Sequence, residues 1–221
     1  MCRKFFLCIV LIFSILVAGC GKTELEAVET VNVTFNAGLT GNPELAKGTT
    51  VEEDVTIFTV EMDNQIRSLL KNVFKIDNKA ILSDDEFERM VYAYHKLLAK
   101  SKIDVKYNST EGERVYIKAE IQMPSQKETT DYILNVFRNK CREDNRGLLF
   151  SFMDENEQKK ASIPYLIEAY EEAADKDFLL ERTNDMNIAC IYNEEKKTWE
   201  LMNPAFDAFQ LVRMVNYFHF K

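Results

Sequence analysis

Two histidines, seven glycines and a single tryptophan in 221 residues exclude several kinds of protein at once. With so little glycine the chain is neither collagenous nor low-complexity, and it contains no glycine-rich loop of the kind that cradles phosphate. No His-Glu-x-x-His and no Gly-x-Ser-x-Gly occurs, so the commonest metalloprotease and serine-hydrolase signatures are missing. The five cysteines include no Cys-x-x-Cys pair, which removes the usual zinc and dithiol redox motifs. No cofactor and no metal site is expected. Long apolar runs are missing too. Phe5 to Ala18, interrupted only by Ser14, is the main one, and it falls short of the ~20 residues a helix needs to cross a bilayer.

That short run nevertheless carries the most specific signal in the chain. Arg3 and Lys4 precede it as a positive segment, and Leu16-Val17-Ala18-Gly19-Cys20 closes it. This order is that of a secretory signal, and the small residues before the Cys let the backbone enter a peptidase cleft. It looks like a bacterial lipobox. The resemblance implies diacylglyceryl attachment to the thiol of Cys20 and cleavage before it, so the expected address is the cell membrane, lipid-anchored on the extracytoplasmic face.

Processing would remove Cys2, Cys8 and both early cations. All 36 acidic residues lie after Cys20 and 26 basic ones remain, giving the mature chain a net charge of −10. Nucleic acid and anionic lipid surfaces are both polyanionic, and repulsion opposes association with either. Cys141 and Cys190 are left as thiols that an exported location would allow to pair, but a chain of this length needs no bridge to fold, and two buried thiols are the simpler expectation.

Residues 21–49 read as tether, with Gly38, Gly41, Pro43 and Gly48 among polar residues; Val31-Asn32-Val33-Thr34-Phe35 alternates and would suit an edge strand. The folded domain is expected over 50–221, after a signal peptide at 1–19 and the lipidated Cys and flexible tether at 20–49. Thr50 and Glu53 are placed for a capping box ahead of an apolar stripe, Val51, Val55, Phe58, Met62, Ile66, Leu69 and Val73, at helical spacing. Ser83 and Glu86 form a second such box before Phe87, Met90, Val91, Tyr94, Leu97 and Leu98. The acids Asp84, Asp85, Glu86 and Glu88 are helix-start residues without calcium-loop spacing.

After Lys102 the period shortens to two. Ile103, Val105 and Tyr107, then Val115, Ile117, Ala119, Ile121 and Met123 across a turn at 109–112, predict a hairpin with one buried face. A helix over 127–141 follows. Residues 148–153 suit a short strand and a helix equally. Ser162 and Pro164 would start a helix running towards Leu180. Ile188, Cys190 and Tyr192 lead through Asn193–Lys197 into a return strand, Thr198-Trp199-Glu200-Leu201, and Asn203-Pro204 would begin a last helix packed on the sheet through Phe206, Phe209, Leu211, Val212, Val215 and Phe218.

The helical pair, the hairpin at 103–123, a helical stretch and the strand Lys197-Thr198-Trp199-Glu200-Leu201 together resemble bacterial surface lipoproteins of unknown function with a nuclear-transport-factor-2-like, cystatin-like cone fold. Members often have Gly-Lys-Trp where this chain has Lys-Thr-Trp without a turn glycine. The resemblance implies an α+β fold, a curved antiparallel sheet packed against helices, and brings no catalytic residues.

Enzymes on such cones use an Asp, His or Tyr in the cavity. His95 falls on the exposed flank of its helix, His219 lies near the C-terminus, and Asp104, Tyr92, Tyr107 and Tyr116 are more simply surface residues. The chain is therefore read as a non-catalytic module, bound to the membrane through lipidated Cys20, that binds another envelope protein or acts as a spacer. The alternative is a receptor for a small apolar or amphipathic ligand held in the cone, with enzymatic activity on the same fold a lesser reading.

Overall fold

Glu24–Thr40 is a helix (α1), and it lies at the centre of the molecule. The computed structural model describes residues 23–74, 82–143 and 152–214; the lipobox with Cys20, Val73 as a side chain, most of 148–153, Val215, Phe218 and His219 lie outside the described residues. Thr23 caps α1 by accepting from the Glu26 amide at 3.4 Å. Gly41 ends it in the left-handed conformation at φ 63°, and the next amide, Asn42 N–H, donates back to the Ala37 carbonyl at 3.0 Å, a closure that glycine makes without a Cβ penalty. Ala27, Val31 and Phe35 are fully buried and Leu39 is buried, one side chain per turn along a single stripe.

The tether expected over 21–49 is thereby corrected from Glu24 onward, and the edge strand at 31–35 with it. A short 3₁₀ turn, Pro43–Ala46, continues the packed structure, so the folded unit begins before residue 50. Glycine count and β-branched residues suggested otherwise because both are local signals; burial of a continuous apolar face outweighs propensity differences of under ~1 kcal/mol per residue. Gly38 has a packing role. A Cβ there would lie 2.3 Å from Cε1 of Phe58, so its absence lets α1 and the following helix approach.

That helix, α2 (Glu52–Phe74), buries Val55, Phe58, Met62, Ile66 and Leu70, with Leu69 half-buried and Val51 buried just before it. The expected Thr50–Glu53 capping box is not what these side chains do: Thr50 meets Thr198, and Glu53 meets Lys196 at 2.7 Å. Helix α3 (Asp84–Leu98) does open on its box, with Ser83 Oγ accepting from the Glu86 amide and Glu86 accepting from the Ser83 amide at 2.9 Å.

Strands β1 (Lys102–Glu111) and β2 (Arg114–Pro124) form the expected hairpin, pairing Ile103 with Ile121 and Tyr107 with Ile117. β2 buries Val115, Ile117, Ala119, Ile121 and Met123, while the edge strand β1 keeps Ile103 and Val105 half-buried and Tyr107 exposed. Helix α4 is Gln126–Glu143 and α5 is Glu155–Asp175. α5 starts earlier than Ser162 because Asp154 accepts from the Glu157 amide at 2.9 Å and Glu157 returns the bond to Asp154 N–H at 3.1 Å. Pro164 consequently sits inside the helix. α5 also stops at Asp175, and Leu180–Arg182 is a strand, β3, paired with the end of β2.

β4 (Met186–Asn193) and β5 (Thr198–Leu201) complete a curved, five-stranded antiparallel sheet of order β1-β2-β4-β5, with β3 beside β2 beyond β4. The last helix, α6 (Pro204–Met214), packs mainly on α2. Its Phe206 is exposed, so the wide apolar arc is not all core. α1 lies over β1, β2 and β5 and also touches α2 and α3; α5 packs on α3 and α4 on α5. The fold is α+β, six helices and this sheet among the described residues.

A candidate functional site between the first helix and the closing hairpin

The closing hairpin is held in place by its polar residues. Asn193 Oδ1 accepts from the amides of Glu195 and Lys196, both at 3.0 Å, while its Nδ2 donates to Glu200 at 2.9 Å. Lys197 takes the left-handed position at φ 56°, which a non-glycine residue tolerates in a tight turn at some cost. The turn thus forms without a glycine. Lys196 bridges Glu53 and Glu200 at 2.7 and 3.0 Å, and the Leu201 amide donates to Asp54 Oδ2 at 2.7 Å. Together with the Thr50–Thr198 hydroxyl pair at 3.1 Å, these bonds stitch β5 to the start of α2.

With the hairpin so fixed, Tyr192 and Trp199 stand directly opposite each other on adjacent strands, edge to face, with ring centroids 5.4 Å apart, a favourable aromatic geometry. Trp199 is 6% exposed, shares its strand face with Leu201 as alternation requires, and its indole N–H meets no acceptor among the described residues.

Two clefts adjoin at this pair. The larger, about 560 Å³, runs between α1, residues 49–51 and the hairpin; Glu26, Glu29, Thr30 and Val33 line it from α1, at spacings that share one helix face. The smaller, about 310 Å³, is lined by Glu24, Gly112, Glu113, Glu194 and both rings. Glu24, Glu26, Glu29 and Glu113 are exposed and make no ion pair among the described residues. The cation at the rim, Lys197, lies 3.4 Å from Glu194.

The residues singled out by sequence fall elsewhere. Asp104 is exposed and paired with Lys106 at 2.5 Å; Tyr92 and Tyr107 are exposed, and Tyr116 is half-buried on β2, beside the Ile117 that pairs with Tyr107. His95 is not on an exposed flank: its side chain is 12% exposed and Nε2 lies 3.0 Å from Asp63 Oδ1 of α2. Gly41, which closes α1, lies against the imidazole, and this neighbour was invisible while α1 read as tether. Burial pushes the Asp63 carboxyl up, but the hydrogen bonds from Arg67 and His95 outweigh it and hold the group below the usual carboxylate range. Arg67 in turn clamps Glu88 with two bonds at 2.6 and 2.8 Å, so of the helix-start acids Glu86 is a cap and Glu88 an ion-pair partner. The small cleft beside His95, about 220 Å³, also exposes Asn64 and the buried Thr59.

A second polar cluster lies under β5. Asp207 of α6 is buried, and desolvation pushes its carboxyl up to about 7. Asp54 is also raised by burial, against the Leu201 amide that favours its charged form. Cys190 is raised to about 12 by burial and then by the fields of Asp207 and Asp54, which leaves it an unreactive thiol at neutral pH. Cys141, half-buried, and Cys190, buried, are thiols rather than disulfide partners.

Comparison with known proteins adds a fold likeness. No family model matches the sequence, and no curated protein does. The structure resembles that of a "putative lipoprotein (ycdA)" from Bacillus subtilis subsp. subtilis str. 168, with a TM-score of 0.62 and 12% identity over 86% of this chain and 55% of that one. The likeness is one of fold. The chain spans about half the length of that structure, and it has the same α+β arrangement. Among the described residues no helix is long and apolar enough to cross a membrane.

Proposed function

We propose that the chain is an extracytoplasmic lipoprotein, anchored through Cys20, whose domain is a non-catalytic binding module of the cell envelope and uses the Tyr192–Trp199 cleft as its contact site. The observation that carries the binding reading is the cleft itself: an aromatic pair at its floor, a volume within the ~300–1,000 Å³ usual for ligand sites, and polar groups around the rim. The lipobox supports the anchor, and the fold likeness to a protein described as a lipoprotein agrees with it. Kinship with the cystatin-like cone families rests on the Lys-x-Trp-x-apolar strand and is part of the same proposal. The alternative, a small amphipathic ligand in place of a protein, draws its support from the size of the cleft. The non-catalytic reading is supported by the exposure of Asp104, Tyr92 and Tyr107 at the surface and by the small space beside His95.

Two experiments test it. Cys20→Ala should leave precursor or shed protein; the variant still fractionating as mature, detergent-requiring protein would refute the anchor. A photocrosslinking amino acid in place of Lys197, used in intact cells, should give a discrete adduct that the same substitution at exposed Tyr92 does not give. Equal labelling from both positions would refute the cleft as contact site.

A further inference from the structure

We propose that the cleft takes a cationic, amphipathic peptide segment, its apolar side chains against Tyr192 and Trp199 and its lysine or arginine groups against the carboxylates around them. The inference rests on the binding reading above and names the chemistry of its ligand.

Charge complementarity points to it. Many surface carboxylates are neutralised: Glu171 by Arg89, Glu168 and Glu172 by Lys140, Asp185 by Lys118 and Arg182. Around the aromatic pair the pattern is different. Glu26 and Glu29 line the larger cleft, Glu24 and Glu113 the smaller, and none of the four makes an ion pair among the described residues. The dipole at the start of α1 accounts for Glu24 and Glu26, which sit in its first turn. It does not account for Glu29, beyond that turn, nor for Glu113, which comes from the β1–β2 turn. The carboxylates are therefore contributed by separate elements and converge on one place. Lys197 is the opposing charge, and its contact with Glu194 reduces its effect on an incoming cation.

The floor suits the same ligand. Lysine and arginine lay their methylene stems on apolar surface while the charged head reaches for carboxylates, and aromatic faces attract cations within ~6 Å. Two clefts in line, divided by the Tyr192–Trp199 pair, favour an extended segment with more than one cation over a compact single-charge ligand.

Trp199, the only tryptophan, reports on the site directly. The full chain, purified in detergent, would be titrated with a blocked peptide of alternating lysine and leucine about six residues long, following tryptophan emission, and separately with the glutamate–leucine analogue and with spermine. A saturable change is expected with the lysine peptide, weakening at least about tenfold between 50 and 300 mM salt as exposed charges are screened. The double substitution Glu26→Gln and Glu29→Gln should weaken it about tenfold or more with only a small shift in the melting temperature, from the loss of Glu26 at the helix start. An equal response to the glutamate peptide, an unchanged affinity in the double variant, or no response to the lysine peptide would overturn the proposal. Spermine binding as tightly as the peptide would also overturn it, in favour of a small polyamine. If the crosslink at Lys197 in cells persists while the lysine peptide fails, the binding module stands and only the cationic ligand falls.

Discussion

Asp207 offers a direct test of how the interior under β5 is organised. It sits on α6 at 6% exposure, and burial raises its carboxyl to about 7 from an ordinary 3.8. The unfolded chain loses this proton near pH 3.8, and the folded chain keeps it until about 7. Between those values the folded state binds one proton more, so stability from this group is fully present below the unfolded value and is lost as pH rises through the folded one. At ~1.4 kcal/mol per pH unit, the accumulated loss is roughly 4 kcal/mol by pH 8, a large share of a typical ~5–15 kcal/mol. Asp207→Asn removes the titration while keeping the shape. Urea unfolding of both proteins from pH 4 to 8 should give curves that diverge, the Asn variant gaining on the wild type by a few kcal/mol across the range. The change in the difference is the informative quantity, because any fixed cost of a buried amide cancels. Parallel curves would mean that Asp207 reaches solvent or a cation in the folded protein, and the desolvation argument would fail.

Gly38→Ala should destabilise by about 1–3 kcal/mol although alanine is the better helix former, because its Cβ would meet the Phe58 ring at 2.3 Å; thermal melts check it, and a stabilised variant would show that α1 and α2 are not held this close. Trp199→Ala should cost ~3–5 kcal/mol by cavity formation, with Trp199→Phe costing less; a melting temperature within a degree or two of wild type in both would mean that the cleft floor is not part of the core.

The sheet and the middle helices were legible because their signals are local and repeated. β2 alternates for five buried positions, and Ser83 with Glu86 marks a helix start by its own hydrogen bonds. What was not legible depends on distant partners. Pro164 read as a helix start because proline fits a first turn, yet Asp154 and Glu157 had already opened the helix ten residues earlier. β3 is three residues long and exists through pairing with β2, too short for any period to show. α1 was the largest omission: Ala27, Val31, Phe35 and Leu39 do recur every four residues, but three glycines and a proline nearby weighed more than that stripe. Half of the candidate site went with it. The Tyr192–Trp199 pair follows from alternation in β4 and β5, whereas its acidic wall could not be placed until α1 was known to cross the sheet, and the same helix hides His95.

The early start of α1 bears on the anchor as well. On the lipoprotein reading, four residue steps separate the acylated Cys20 from Glu24, a reach of at most ~14 Å even if fully extended. The cleft is lined from Glu26 to Val33, a rise of about 10 Å along the helix. A tether of 29 residues would let the domain explore far from the bilayer, but this spacing holds the cleft within a few nanometres of it. The net charge of the mature chain opposes close contact between the domain and anionic headgroups. Attraction of a cationic segment to the same membrane would concentrate such ligands in the layer where the cleft is held. On that reading a short anchor would restrict the proposed module to partners at or near the membrane surface, and acidity that disfavours lipid contact would become the feature that selects among them.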